Sequence, residues 1–282
     1  MLGYVNQFIG LFIDSLRQIG RGKIWLSLFV LLVVNGFVLY MHYDFLSPLF
    51  FEAMSAWTAL VSQPASTMFT HYPMHFVLMP FYFGIAKLIP GIILESLLLG
   101  AVAIYFRNGY LKATGSERLT LRSAISSWGS LIIAWLVING LTVLVSIYFP
   151  DLFRFIHQDS PRRLLVFNFV IMPAFFAIIL SLFFFAIPSI AIYRENFLKG
   201  IGRSLKLFVR RPLTCLLLSG VILAGPYILS AIAGYSEDIS TKFKPELVFW
   251  VLAVGLVVEL IANYFWMGTA VRFLLEEEEA AE

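Results

Sequence analysis

The sequence predicts an all-α membrane protein with six transmembrane helices, arranged as three tandem helix-hairpin repeats, each preceded by an interfacial amphipathic helix. Three observations carry this expectation. Apolar residues make up 60% of the chain and charged residues 13%, and the mean hydropathy is +0.87, more apolar surface than a soluble core of this length can hide. Six apolar runs, near 24–41, 75–106, 128–149, 164–193, 213–234 and 247–271, are long enough to cross about 30 Å of hydrocarbon. Finally, an amphipathic stretch from Ala191 to Pro212 recurs in weaker copies ahead of other spans.

Within that stretch Phe197, Ile201, Leu205 and Phe208 share one helical face and Lys199, Arg203, Lys206 and Arg210 the other, the pattern of a helix lying in the membrane interface. Its basic side chains are expected to face lipid phosphates, at about 1 kcal/mol per cation near an anionic leaflet. Pro212 opens the next span, as expected where one helix stops and the chain turns into the bilayer.

From the N-terminus onward, residues 5–21 repeat this wheel with Phe8, Phe12, Leu16 and Ile19. Asp14-Ser15-Leu16-Arg17 matches Arg203-Ser204-Leu205-Lys206, and Arg21 matches Arg210. A third copy centres on Arg122-Ser123, and its approach from Ala103 to Lys112 resembles Ala191 to Lys199 with one insertion. Thr114 and Glu117 have capping-box spacing for the helix that follows. The spans repeat as well. Asn35-Gly36, Asn139-Gly140 and Ser219-Gly220 recur in the odd spans, and Phe76-Val77-Leu78-Met79-Pro80 in the second is echoed by Phe169-Val170-Ile171-Met172-Pro173 in the fourth. The repeat units run approximately over 1–107, 108–194 and 195–273, followed by an acidic tail at 274–282, within a single integral membrane domain over 1–282. Each unit starts and ends on the same side, so these are parallel repeats about an axis along the membrane normal.

Arg17, Arg21, Lys23, Arg107, Lys112, Arg118, Arg122, Arg194, Lys199, Arg203, Lys206, Arg210, Arg211 and Arg272 fall on the side of the N-terminus, against Arg154, Arg162, Arg163, Lys242 and Lys244 on the other. The positive-inside rule therefore places both termini in the cytoplasm. The first apolar run begins after Lys23 and lacks a small-residue cleavage site, so a retained span is expected rather than a cleaved signal peptide. Residues 42–74 form the longest outer segment, where Leu49 to Trp57 is expected to make a further interfacial helix.

Lys87, Glu95 and Glu259 lie inside apolar runs, where an ionised side chain costs at least about 2.5–3.5 kcal/mol. One reading makes them a solute or proton path. The other has Lys87 snorkelling and each glutamate paired with a hydroxyl or a cation on another helix, an arrangement common in membrane helices. Pro90 lies between Lys87 and Glu95, which argues against a direct pair along one helix. Asn35, Asn139 and Ser219 form a polar ring about the repeat axis in the first reading and interhelical hydrogen bonds in the second, which small and polar residues usually supply. Asn263 stands one turn from Glu259 on the same face. Pro80, Pro90, Pro173, Pro188 and Pro226 are expected to kink spans.

Several classes of chemistry find no support. Cys215 is the only cysteine, which leaves no intrachain disulfide and no cysteine metal cluster. His71 and His75 have i, i+4 spacing, but the intervening Pro73 argues against a metal site. The chain lacks the zinc-protease, nucleophile-elbow, P-loop and dinucleotide-binding patterns. No cofactor and no catalytic residue are expected. The basic faces carry aromatic undersides, which favours membrane lipid with anionic headgroups over nucleic acid as partner. The acidic tail reads either as a solvated terminus or as a segment docked on the basic faces.

The pattern from Arg203 to Phe208, R-S-L-K-x-F followed by a span, resembles the multi-span membrane domain attached to some bacterial glycerophosphoryl diester phosphodiesterases and related stand-alone bacterial membrane proteins, most clearly over 185–235. The resemblance implies an inner-membrane location and lipid handling without catalysis, since no soluble phosphodiesterase domain is present. The leading expectation is a non-enzymatic, lipid-associated protein that organises the bilayer or serves a membrane-protein partner. The alternative is a small transporter or channel using Lys87, Glu95 and Glu259.

Overall fold

The computed structural model describes residues 2–111, 118–157 and 160–280. It is helical, with no strand among the described residues. The helices are α1 (Leu2–Leu16), α2 (Gly22–Tyr43), α3 (Phe51–Val61), α4 (Gln63–Phe69), α5 (Met74–Pro90), α6 (Ser96–Tyr110), α7 (Leu121–Ser126), α8 (Trp128–Leu152), α9 (Arg154–His157), α10 (Pro161–Val166), α11 (Met172–Phe183), α12 (Ala186–Tyr193), α13 (Phe197–Arg210), α14 (Pro212–Gly234), α15 (Ser236–Lys242) and α16 (Leu247–Glu279). Six helical stretches are long and apolar enough to cross a membrane: Gly22–Tyr43, Met74–Tyr110, Trp128–Leu152, Arg162–Tyr193, Pro212–Gly234 and Leu247–Glu279. The chain is a multi-pass membrane protein.

It folds as two compact units built from non-contiguous segments: Met1–Leu28, Leu94–Ala224 and Ala262–Glu282 in the first, Phe29–Ile93 and Gly225–Ile261 in the second. The heart of the first unit is formed by three span ends. In α6, Leu99, Ala101, Val102, Ala103, Ile104 and Phe106 have no exposed surface; in α12 the same holds for Ala186, Ile187, Ile190 and Ala191, and in α16 for Met267, Ala270, Val271 and Phe273. Small residues let these helices approach. A Cβ added at Gly100 would stand 2.7 Å from the Leu131 side chain and 3.7 Å from Ala191 Cβ. Aromatic pairs close the remaining sides, Phe106 with Tyr264 and Phe185 with Phe273, each at 5.1 Å between ring centroids. Close packing of this kind holds helices together where lipid tails remove the hydrophobic drive.

The fourth span is broken by its own sequence. Pro188 has no N–H, and its ring crowds the carbonyl four residues earlier, that of Phe184. The Phe184 carbonyl instead accepts from Trp266 Nε1 on α16 at 2.9 Å. Ser204 of α13 serves the other freed groups, accepting from Phe185 N at 3.1 Å and donating to Leu182 O at 2.8 Å. The segment between α12 and α13 ends one helix and starts the next. Arg194 adopts a left-handed conformation with φ 54° while its guanidinium donates to Ser123 Oγ at 2.8 Å, and Asn196 caps α13 by accepting from Lys199 N at 3.0 Å.

In the second unit Leu39, Phe76, Met79, Phe83, Val248 and Leu256 form one apolar cluster. Phe45, Phe50, Met54, Phe69 and Tyr82 form another beneath α3 and α4. The outer segment 42–74 is thus folded back as two short helices, and His75 is buried against Phe45 and Phe76 rather than offered to a ligand. Pro90 is followed by a π-helical turn, Gly91–Glu95, and a second π turn at Phe167–Ile171 precedes Pro173, so two of the expected kinks are absorbed as wide turns.

Two expectations are corrected. The copy centred on Arg122-Ser123 makes only the six-residue α7 before turning at Ser127 into the third span, too short for a full interfacial helix. The residues from Phe273 to Glu277 do not form a separate solvated tail. α16 continues to Glu279 because Phe273, Leu274 and Leu275 are buried and Arg272 pairs with both Asp14, at 3.0 Å, and Glu276, at 3.1 Å. Glu277 also reaches Arg211 at 3.5 Å, which is the docked form of the acidic segment. Thr114 and Glu117 lie outside the described residues.

Candidate functional site

Two features stand out: an ion pair set in an intramembrane cavity of the second unit, and the three-sided surface of α13 in the first.

Lys87 stands on α5, thirteen residues past its start at Met74, and Glu259 stands twelve residues into α16. At 1.5 Å of rise per residue both lie about 20 Å in from the same ends of their spans, well inside the hydrocarbon layer. Lys87 Nζ donates to Glu259 Oε2 as a direct ion pair. One reading of the sequence gave each glutamate a hydroxyl or a cation on another helix but had Lys87 snorkelling; here Lys87 is the cation that Glu259 meets. The side chains retain 23% and 29% of their surface, and that surface opens on a cavity of about 440 Å³. Pro80, Gly84, Pro226, Ser230, Gly234 and Gly255 contribute to its wall. Glycine and proline here keep side-chain bulk out of the space; a Cβ on Gly84 or Gly234 would meet nothing within 4 Å. The arrangement puts one paired charge, one hydroxyl and an apolar wall around a volume that suits a small solute.

The other intramembrane polar residues are not gathered into this cavity. Glu95 is half-buried at the end of the π turn. Asn139 donates to Trp135 O on its own helix at 3.0 Å, and Ser219 donates to Ala177 O across a helix contact at 2.9 Å. The second of these is the interhelical kind of bond that packing supplies. Asn35 is buried, its amide oxygen without a protein donor among the described residues, and Asn263 is half-buried on α16.

On α13 the sequence suggested two faces and the structure has three. Gly200, Ser204 and Leu207 are buried against protein. Beside them runs an uncovered apolar strip in which Leu198 is 66% and Val209 77% exposed. Lys199, Lys206 and Arg210 are exposed on the remaining side. α1 repeats the division with Leu11 and Ser15 buried and Ile9, Ile13 and Leu16 exposed. Ser15, Ser123 and Ser204, which the sequence alignment equates, are all buried.

Not every cation expected at headgroups is free to go there. Arg203 is held by Glu195 at 2.6 Å and lies 4.0 Å over the Tyr193 ring, and the Glu195 carboxylate raises its pKa above the ordinary guanidinium value. Arg17 pairs with Asp14 at 2.9 Å, whereas Arg21 donates to Gly109 O at 3.0 Å and still lines a cavity. Arg122 is exposed. Sequence reasoning missed Trp266 and the dual role of Ser204. The signal available was Pro188, whose position dictates which carbonyl needs a new donor.

Fold and site together define a class, the multi-pass α-helical membrane protein with a charged pair inside its transmembrane region. No protein-family model, curated protein or solved structure matches the chain.

Proposed function

We propose that this chain is a non-enzymatic inner-membrane protein that associates with anionic lipid on the cytoplasmic leaflet, in a membrane-organising, lipid-handling or complex-accessory role. The observation that carries the reading is the three-way division of α13, with one face on protein, an apolar strip uncovered and a basic strip beside it. A soluble environment would penalise the uncovered strip, whereas at a membrane interface it meets acyl chains while the lysines meet phosphates. The asymmetry of Lys and Arg between the two sides supports cytoplasmic termini. The equivalent burial of Ser15, Ser123 and Ser204, together with three equivalent buried span ends, supports a threefold tandem repeat. The resemblance of Arg203 to Phe208 to the phosphodiesterase-type membrane domain points to the same lipid setting.

Replacing Lys199, Lys206 and Arg210 together by glutamine is expected to reduce retention of anionic lipid on the purified protein on the order of a hundredfold, at about 1 kcal/mol per cation, and the wild-type retention is expected to weaken with salt. Retention equal to wild type at every ionic strength would end this reading.

A second reading, a small transporter, is favoured by the cavity that holds Lys87 and Glu259. In a Cys215→Ser background, Ser230→Cys is then expected to react with a small charged thiol reagent in membranes. Complete protection of that position, with loop controls labelled, would leave the cavity dry and the transporter reading without support.

A further inference from the structure

A cavity of about 610 Å³ lies in the first unit where the first span begins and the second ends. Among its described lining residues are three cations, Arg21, Lys23 and Arg118, together with Thr120, and no carboxylate. We propose that this cavity is a binding site for a single phosphate group, carried in the first place by the headgroup of an anionic lipid.

The site is built rather than incidental. Asn108 clamps the strand of chain that carries Arg118 and Thr120, its side chain donating to Leu119 O at 2.7 Å and accepting from Leu119 N at 3.0 Å. Arg21 is fixed at the same helix end by its bond to Gly109 O. Gly109 leaves room for it, since a Cβ there would stand 2.8 Å from the guanidinium carbon. Trp25 Nε1 donates to Ile19 O at 2.7 Å and holds the turn that presents Arg21 and Lys23. Gly22 and Lys23 begin the 22-residue α2, so the positive end of that helix adds to the field of the three cations. The hydroxyl of Thr120 makes no cap hydrogen bond to α7 and is available to an acceptor oxygen.

Depth selects the headgroup. The lining residues stand at the first turn of the Gly22–Tyr43 span and the last turns of the Met74–Tyr110 span, the level at which aromatic side chains such as Tyr105 mark the membrane boundary. Clusters of basic residues at this level recognise anionic headgroups through charge-assisted hydrogen bonds, which Arg supplies in bidentate form. The proposal rests on the lipid-associated reading, but it names a different surface from α13 and a stoichiometric ligand instead of a diffuse one.

The test is native mass spectrometry of the full chain in an uncharged detergent, titrated with phosphatidylglycerol, phosphatidylcholine or glycerol phosphate. One phosphatidylglycerol is expected to bind ahead of all others, and the paired substitution Lys23→Gln and Arg118→Gln is expected to weaken that first event on the order of tenfold or more. Both side chains are exposed, so the thermal midpoint of the variant should match wild type. The α13 triple substitution is expected to leave the first lipid in place and remove later ones, which separates this proposal from the reading it rests on. Glycerol phosphate binding as tightly as the lipid would support the phosphate site and make its occupant a soluble ester. A first lipid bound equally well by wild type and the paired variant, or phosphatidylcholine bound as well as phosphatidylglycerol, would overturn the proposal.

Discussion

Lys87→Met alone is expected to destabilise the second unit by about 3–5 kcal/mol, the cost of leaving the half-buried Glu259 charge without its cation. Each side chain keeps less than a third of its surface, and the ends of both spans are about 20 Å away. The orphaned charge would therefore have to be solvated by a cavity of about 440 Å³ or bear a penalty of at least about 2.5–3.5 kcal/mol inside the apolar layer. The paired change Lys87→Met with Glu259→Leu removes both charges and is expected to recover most of the loss, since apolar residues of similar volume replace buried ion pairs at little or no cost. Unfolding the purified protein in mixed detergent, as a double-mutant cycle, measures this directly. Additive single effects would show that the pair does not act as a unit. The same paired variant separates structural from transport roles: if it folds normally and a solute flux disappears, the charges act on a substrate as well as on each other.

Two glycines on α13, two residues apart, are expected to respond oppositely to alanine. A Cβ at Gly200 would clash with Ile190 Cγ1 and stand 3.3 Å from the backbone oxygen of Ala186. Ile190 can turn away only into a fully buried neighbourhood, and overpacking of that kind costs about 1–3 kcal/mol. At Gly202 nothing lies within 4 Å, so alanine there should gain the roughly 0.5–1 kcal/mol by which it exceeds glycine in a helix. Thermal midpoints in detergent should fall for Gly200→Ala and rise for Gly202→Ala. Two shifts of the same sign would mean that α13 does not sit on α12 by its Gly200 face. Ser204 stands one turn on along that face and bonds both sides of the fourth-span break, so a Gly200 substitution that lifts α13 should also loosen the break.

Much of the architecture was readable because membrane helices obey constraints visible in one dimension. A run of about 20 apolar residues has few alternatives to spanning, and all six expected spans fall within the six helical stretches long enough to cross. The amphipathic segment read from the sequence starts at Ala191, whereas Ala191 to Tyr193 end α12 and α13 begins at Phe197. Periodicity identified which side chains share a face of α13 but could not identify which face the protein covers. Apolar character predicts avoidance of water, and lipid satisfies that as well as protein does. The packed face turned out to be the one with Gly200 and Ser204, chosen by close approach and hydrogen bonding.

The sequence by itself determined the membrane class, the positions of the spans, the uneven placement of Lys and Arg along the chain and the need to compensate Lys87 and Glu259, because composition, length and the cost of buried charge are local properties of a chain. Only the tertiary structure decided that Lys87 meets Glu259, that Trp266 and Ser204 take over the carbonyls and amide at the Pro188 break, that the acidic end of α16 docks on Arg211, and that Arg21, Lys23 and Arg118 share a cavity. Those residues are separated by tens to hundreds of positions. Which partner satisfies a buried polar group depends on which helices are neighbours, and that is set by the packing of surfaces that single-sequence periodicity does not encode.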